Sequence, residues 1–164
     1  MTVTDVRTDS DALTLTITAE FDAPVDRVWQ LWADPRRLER WWGPPTYPAT
    51  VEDHDLSPGG RVSYFMTGPE GDRHHGWWGI LTADPPKGFE FEDGFADDDG
   101  VPNRDMPVTA IRVELADRDG GGTAMTIVST FPSREAMEQM VAMGMDEGMR
   151  EAMGQMDAIL ADAG

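Results

Sequence analysis

The chain has 164 residues, no cysteine, and a formal net charge of −18, from 13 basic against 31 acidic side chains. Without cysteine there is no thiol catalysis, no zinc–cysteine site and no disulfide, which fits a reducing compartment. So acidic a surface disfavours nucleic acid and anionic membranes, because both need a cationic face. The length suits one domain over residues 1–164, burying roughly 68–70% of its unfolded surface, with residues 1–12 expected to be flexible. Met1–Ala12 has no basic region followed by an apolar run, and nowhere do eighteen apolar residues occur together, so a soluble cytoplasmic protein is expected.

Leu13, Leu15, Ile17, Ala19 and Phe21 alternate with Thr14, Thr16, Thr18 and Glu20, the pattern of a half-buried strand. Pro24 suits a first helical position, and Val25, Val28, Trp29 and Trp32 follow at i, i+3, i+4 and i+7. Asp34 then caps a second short helix begun by Pro35, whose stripe of Leu38, Trp41 and Trp42 is stopped by Gly43-Pro44-Pro45. Strands are predicted at Thr50–Leu56, Arg61–Thr67, Gly76–Ala83, Phe89–Phe95, Val108–Ala116 and Ala124–Phe131. Glycine-rich turns such as Ser57-Pro58-Gly59-Gly60 and Asp119-Gly120-Gly121-Gly122 separate them.

The last element, Ser133–Ala163, reads as one long helix with Ser133 as N-cap and Glu135 favouring the positive end of the dipole. It carries seven of the eleven methionines, with Gly144, Gly148 and Gly154 among them. Met137, Val141, Met145, Met149, Ala152, Met156 and Leu160 share one face, and Asp146, Glu147, Arg150 and Asp157 lie opposite. Each interior glycine costs roughly 1 kcal/mol relative to alanine, so three of them call for a compensating gain such as room for something else. Methionine, unbranched and polarizable, suits an irregular cavity wall. Ordinary core packing is the competing reading. Glu138 projects near Met145 and Met149, as a polar anchor or simply as a first-turn acid reaching solvent.

An antiparallel sheet of this size curls, and a long helix across its concave face closes a groove. Trp41, Trp42, Trp77, Trp78, Phe65, Phe91 and Phe95 are the rings available to line or plug it. Neighbours on a strand face opposite ways, and Ile80 shares the face of Trp78, so Trp78 rather than Trp77 is expected to point inward. His74 and His75 diverge as strand neighbours, which makes a metal pair improbable. Asp97-Asp98-Asp99-Gly100 lacks the spacing of a calcium loop. No phosphate-binding glycine loop or nucleophile elbow occurs, and no metal or other cofactor is called for.

Phe21-Asp22-Ala23-Pro24-Val25-Asp26-Arg27-Val28-Trp29, Trp32-Ala33-Asp34-Pro35 and Trp41-Trp42-Gly43-Pro44 resemble the opening signature of the activator of heat-shock protein 90 ATPase homologue family, in the START-like or SRPBCC superfamily. The likeness continues through Leu56-Ser57-Pro58-Gly59-Gly60-Arg61, Trp78-Gly79-Ile80 and Gly144-Met145-Asp146-Glu147-Gly148-Met149. It implies an α+β helix-grip fold: a curved antiparallel sheet of about six or seven strands wrapped around a long C-terminal helix, with two short helices after the first strand. It further implies a pocket between helix and sheet for apolar molecules. Where many relatives place a tryptophan after the glutamate-glycine pair of the last helix, this chain has Met149. The eponymous activator also carries an amino-terminal chaperone-binding domain, which is not expected in a chain of this length.

The expected function is binding of an apolar or amphipathic small molecule, with Trp41, Phe65, Trp78, Phe91, Met145, Met149 and Met156 as contacts and Glu138 as polar anchor. A co-chaperone stimulating a chaperone ATPase is the second reading. A cyclase or hydrolase using pocket acids and His54 or His75 is the third; an enzyme is less expected than a binding protein.

Overall fold

Threonines alternating with Leu15, Ile17, Ala19 and Phe21 make a strand whose apolar side is buried, β2 (Thr14–Phe21), in the computed structural model, which describes residues 2–162. Before it, within the segment expected to be flexible, lies a strand, β1 (Thr2–Asp9), paired antiparallel with β2. Val3 and Val6 are an odd number of residues apart and would face opposite ways in a regular strand. A bulge between Val3 and Asp5 sets Val3 opposite Ala19 and Val6 opposite Ile17, so both valines pack on the core side. That bulge hides the strand from any period-two pattern.

Helices α1 (Val25–Ala33) and α2 (Pro35–Trp41) follow β2. Asp34 caps α2 by accepting a hydrogen bond from the Arg36 backbone N–H at 2.9 Å, with Pro35 at its first position. The indole of Trp41 donates to the Leu31 carbonyl at 2.7 Å, which locks the two helices at their bend. Strands β3 (Ala49–His54), β4 (Arg61–Thr67), β5 (Arg73–Asp84), β6 (Gly88–Phe95), β7 (Thr109–Arg118) and β8 (Gly122–Thr130) complete an antiparallel sheet in the order β1-β2-β8-β7-β6-β5-β4-β3. The sheet has eight strands rather than six or seven, and it is open, with β1 and β3 as its edges.

The C-terminal helix is three helices, not one: α3 (Arg134–Ala142), α4 (Met145–Met153) and α5 (Met156–Asp162). Ser133 caps α3 through the Ala136 N–H at 3.0 Å. The first break falls where Gly144 takes φ +83°, a left-handed conformation open chiefly to glycine. The second surrounds Gly154, where the Gln155 side chain donates to the Gly43 carbonyl at 2.7 Å and so ties the helix to the turn after α2. The re-phasing buries Met153 and Ile159, which the expected stripe omitted, together with Ala152, Met156 and Leu160. Helix α4 lies against β1, while α5 packs on α1 and α2. The Arg27 guanidinium donates to the Leu160 carbonyl.

The core sits between the sheet's concave face and these helices. Trp78 and Phe91 stack at 4.2 Å, Phe89 and Phe91 at 4.9 Å, and Trp32 meets Trp41 edge-on at 4.7 Å. Each such pair contributes about 0.5–1.5 kcal/mol beyond the area it buries. Trp78 turns inward as expected, whereas Trp77 lies on the opposite face beneath the Arg104 guanidinium.

Candidate functional site

The inward register of the middle strands sets the site. Along β4, Val62, Tyr64 and Met66 face the helices, and along β6 the sequence Phe89, Phe91, Asp93, Phe95 does the same. Gly76 on β5 pairs with Tyr64, and a Cβ there would fall 2.4 Å from the tyrosine ring, so glycine is what lets the ring lie across the strand. Because α4 leans toward β1, it stands away from β4–β6. The gap is an apolar cavity of about 280 Å³. Trp42, Pro44, Tyr64, Met66, Asp93, Phe95 and Ile111 form one wall. Met140, Met143, Met145, Gly148 and Met149 form the other. Met143, 58% exposed, marks the mouth.

One carboxyl group interrupts this apolar lining. Tyr64 donates its hydroxyl to Asp93 Oδ1 at 2.9 Å. Burial pushes the Asp93 carboxyl up from its ordinary 3.8 to about 7, against the opposing pull of the Tyr64 hydroxyl and the nearby Trp78 indole. Burial likewise holds the Tyr64 hydroxyl well above its ordinary range, reinforced by the Asp93 charge. Trp78 on β5 and Thr109 on β7 are the cross-strand neighbours of Asp93, one on either side. The Trp78 and Trp42 indole nitrogens and the Thr109 hydroxyl are buried without a hydrogen-bond partner of normal geometry among the described residues. Polar atoms in that position are normally satisfied, so this floor is suited to hold a polar group.

Of the eight residues expected here, Met145 and Met149 line the cavity. Trp41, Trp78, Phe91 and Met156 are fully buried core residues that support its floor without lining it. Phe65 lies on the other face of the sheet, where the Arg73 guanidinium sits 4.5 Å over its ring and the His75 ring lies tilted against it at 5.4 Å. Glu138 is exposed on α3 and does not line the cavity, whereas Asp93 does. His54 is tied to the Trp32 carbonyl at 2.9 Å and does not line the cavity. His75 is among the residues lining the cavity, but its ring lies tilted against Phe65 on the far face, so neither histidine is paired with Asp93. Trp42, one of the rings available from the sequence, does line the cavity, whereas Tyr64, Met66 and Asp93 were not expected there. An acid in the inward register of Phe89, Phe91 and Phe95 was the legible signal.

An open antiparallel sheet gripping C-terminal helices over an apolar cavity defines the helix-grip class of α+β proteins. The chain belongs to the family described as Activator of Hsp90 ATPase homolog 1-like protein, whose model matches residues 22–161. It is similar to protein Ms6760 from Mycobacterium smegmatis, at 56% identity over 96% of each chain with a TM-score of 0.88. It is also similar to a protein from Arthrobacter aurescens, at 52% identity over 98% of this chain and 93% of that one, with a TM-score of 0.93. A Rhodobacter sphaeroides protein at 22% identity and a TM-score of 0.82 shares the fold alone, over 98% of this chain and 99% of that one. No curated protein matches the sequence.

Proposed function

We propose that the protein binds a small apolar or amphipathic molecule in the cavity between α3–α4 and β4–β7, its polar end toward Asp93 and Tyr64. The observation that carries this reading is a single half-buried carboxyl at the floor of a largely apolar, methionine-rich pocket. Apolar walls with a few convergent polar groups are the usual form of a small-molecule site, and about 280 Å³ stands near the lower end of the usual range. The methionines adapt to ligand shape, and the break at Gly144 allows α4 to stand off the sheet.

Native mass spectrometry of gently purified protein, compared with its denatured mass, tests this reading. A discrete added mass that is lost in Met149→Trp, where an indole fills the cavity, is the expected result. A co-purifying molecule that is equally retained in the filled variant would remove the cavity from the function. The family's name supports a second reading, a co-chaperone acting through its surface. It predicts stimulation of a heat-shock protein 90-type ATPase that survives Met149→Trp.

A further inference from the structure

The cavity lining is one-sided in charge. Among the described residues, Asp93 is the only acid lining it, and no lysine or arginine lines it. The groups facing Asp93 from the surrounding elements are Tyr64 on β4, Trp78 on β5 and Thr109 on β7, none of them a cation, and α3 and α4 present only methionines and glycines. Of the lining histidines, His74 is engaged by Asp72 and the His75 ring lies tilted against Phe65. A buried carboxylate normally has a cationic partner or stays neutral. Asp93, half-buried, has no such cationic partner among the described residues.

We propose that the ligand supplies it: a compact apolar amine whose ammonium group seats against the Asp93 carboxylate. The inference rests on the ligand-binding reading above and narrows its chemistry. An ammonium group brings up to three donors, which the free acceptor capacity of Asp93 and the Tyr64 oxygen can take. The rings of Trp42 and Tyr64 line the same space and offer faces that attract a cation. The chain's charge of −18 draws cations toward the molecule and repels anions. A fatty acid or phosphate would meet Asp93 with no basic residue to receive it. The carboxyl's elevated value adds a measurable consequence: near pH 6 it holds a proton that an arriving ammonium must displace, and that proton passes to buffer.

Titration with 2-phenylethylamine, 2-phenylethanol and 3-phenylpropionate at pH 7.5, followed by tryptophan emission and calorimetry, tests the inference. The amine is expected to bind roughly tenfold or more tighter than the alcohol, from the difference between a charge-assisted and a neutral hydrogen bond. The carboxylate is expected to bind weakest. Asp93→Asn should abolish the amine's advantage while keeping the alcohol's affinity. Calorimetry in buffers of different ionisation enthalpy should show proton release by the wild-type protein at pH 6 that disappears by pH 8.5. Both the probe ranking and the proton count are read on the unaltered protein, so neither depends on the variant folding. Alcohol binding as tight as amine binding, or an amine preference that persists in Asp93→Asn, overturns the amine assignment and leaves the cavity reading standing. Binding of none of the three, or binding indifferent to Met149→Trp, overturns the cavity reading and this inference with it.

Discussion

Replacing Asp93 with asparagine gives the sharpest test of the site's electrostatics. The folded protein holds this carboxyl at about 7 against an ordinary 3.8, so the native state keeps a proton that the unfolded chain has lost. Stability therefore falls as pH rises from the unfolded value through the folded one, and is level above it. At 1.36 kcal/mol per pH unit of separation, the ionised carboxyl costs the native state at most about 4 kcal/mol, of which roughly 2–3 kcal/mol develops between pH 5 and pH 8. Asparagine keeps the shape and still accepts the Tyr64 hydroxyl, but it does not ionise. Other titrations of so acidic a chain occur in both proteins and cancel in the difference. Urea unfolding of both proteins across pH 5–8 should thus show Asp93→Asn gaining roughly 2–3 kcal/mol on the wild type over that interval. A difference that stays flat with pH would refute the claim that Asp93 is desolvated at the cavity floor.

Two predictions concern the glycines of the C-terminal segment. A Cβ at Gly148 would meet nothing within 4 Å, so Gly148→Ala should stabilise the protein by about 0.5–1 kcal/mol through helix propensity alone, seen as a Tm rise of a few degrees; a lower Tm would show the space is not open. Gly144→Ala, at φ +83° and with equally open surroundings, should cost about 1–2 kcal/mol through the backbone, whereas Gly144→Asn should cost less because asparagine tolerates that conformation. Equal losses for alanine and asparagine in chemical denaturation would place the cost elsewhere.

The elements whose periodicity is clean were legible in the sequence, from the alternation of β2 to the Asp34-Pro35 cap of α2. Those that depend on a departure from periodicity were not. β1 needs its bulge to bring Val3 and Val6 to one face, and the single C-terminal helix divides because Gly144 leaves the right-handed region. The same limit governed the site. Burial patterns separate inside from outside, but Trp78 and Phe91 are inside as stacked core and Met149 is inside as cavity wall, a distinction that periodicity does not carry. Phe65 was misplaced by aromatic character alone, since its neighbour Tyr64 takes the inward register. Asp93 was passed over as one acid among thirty-one, though it sits in register with three inward phenylalanines.

The sheet is open, and its two margins end alike. β1 is bulged between Val3 and Asp5, and β3 between Val51 and Asp53. Asp5, Arg7 and Asp9 line the one margin, and Glu52 and Asp53 the other, all of them exposed. Unpaired margins of this kind invite a second chain to add a strand, which bulges and exposed charges prevent by spoiling the straight ladder that addition requires. With copies that repel one another at −18 apiece, the molecule is protected against strand-to-strand aggregation at both ends of its sheet.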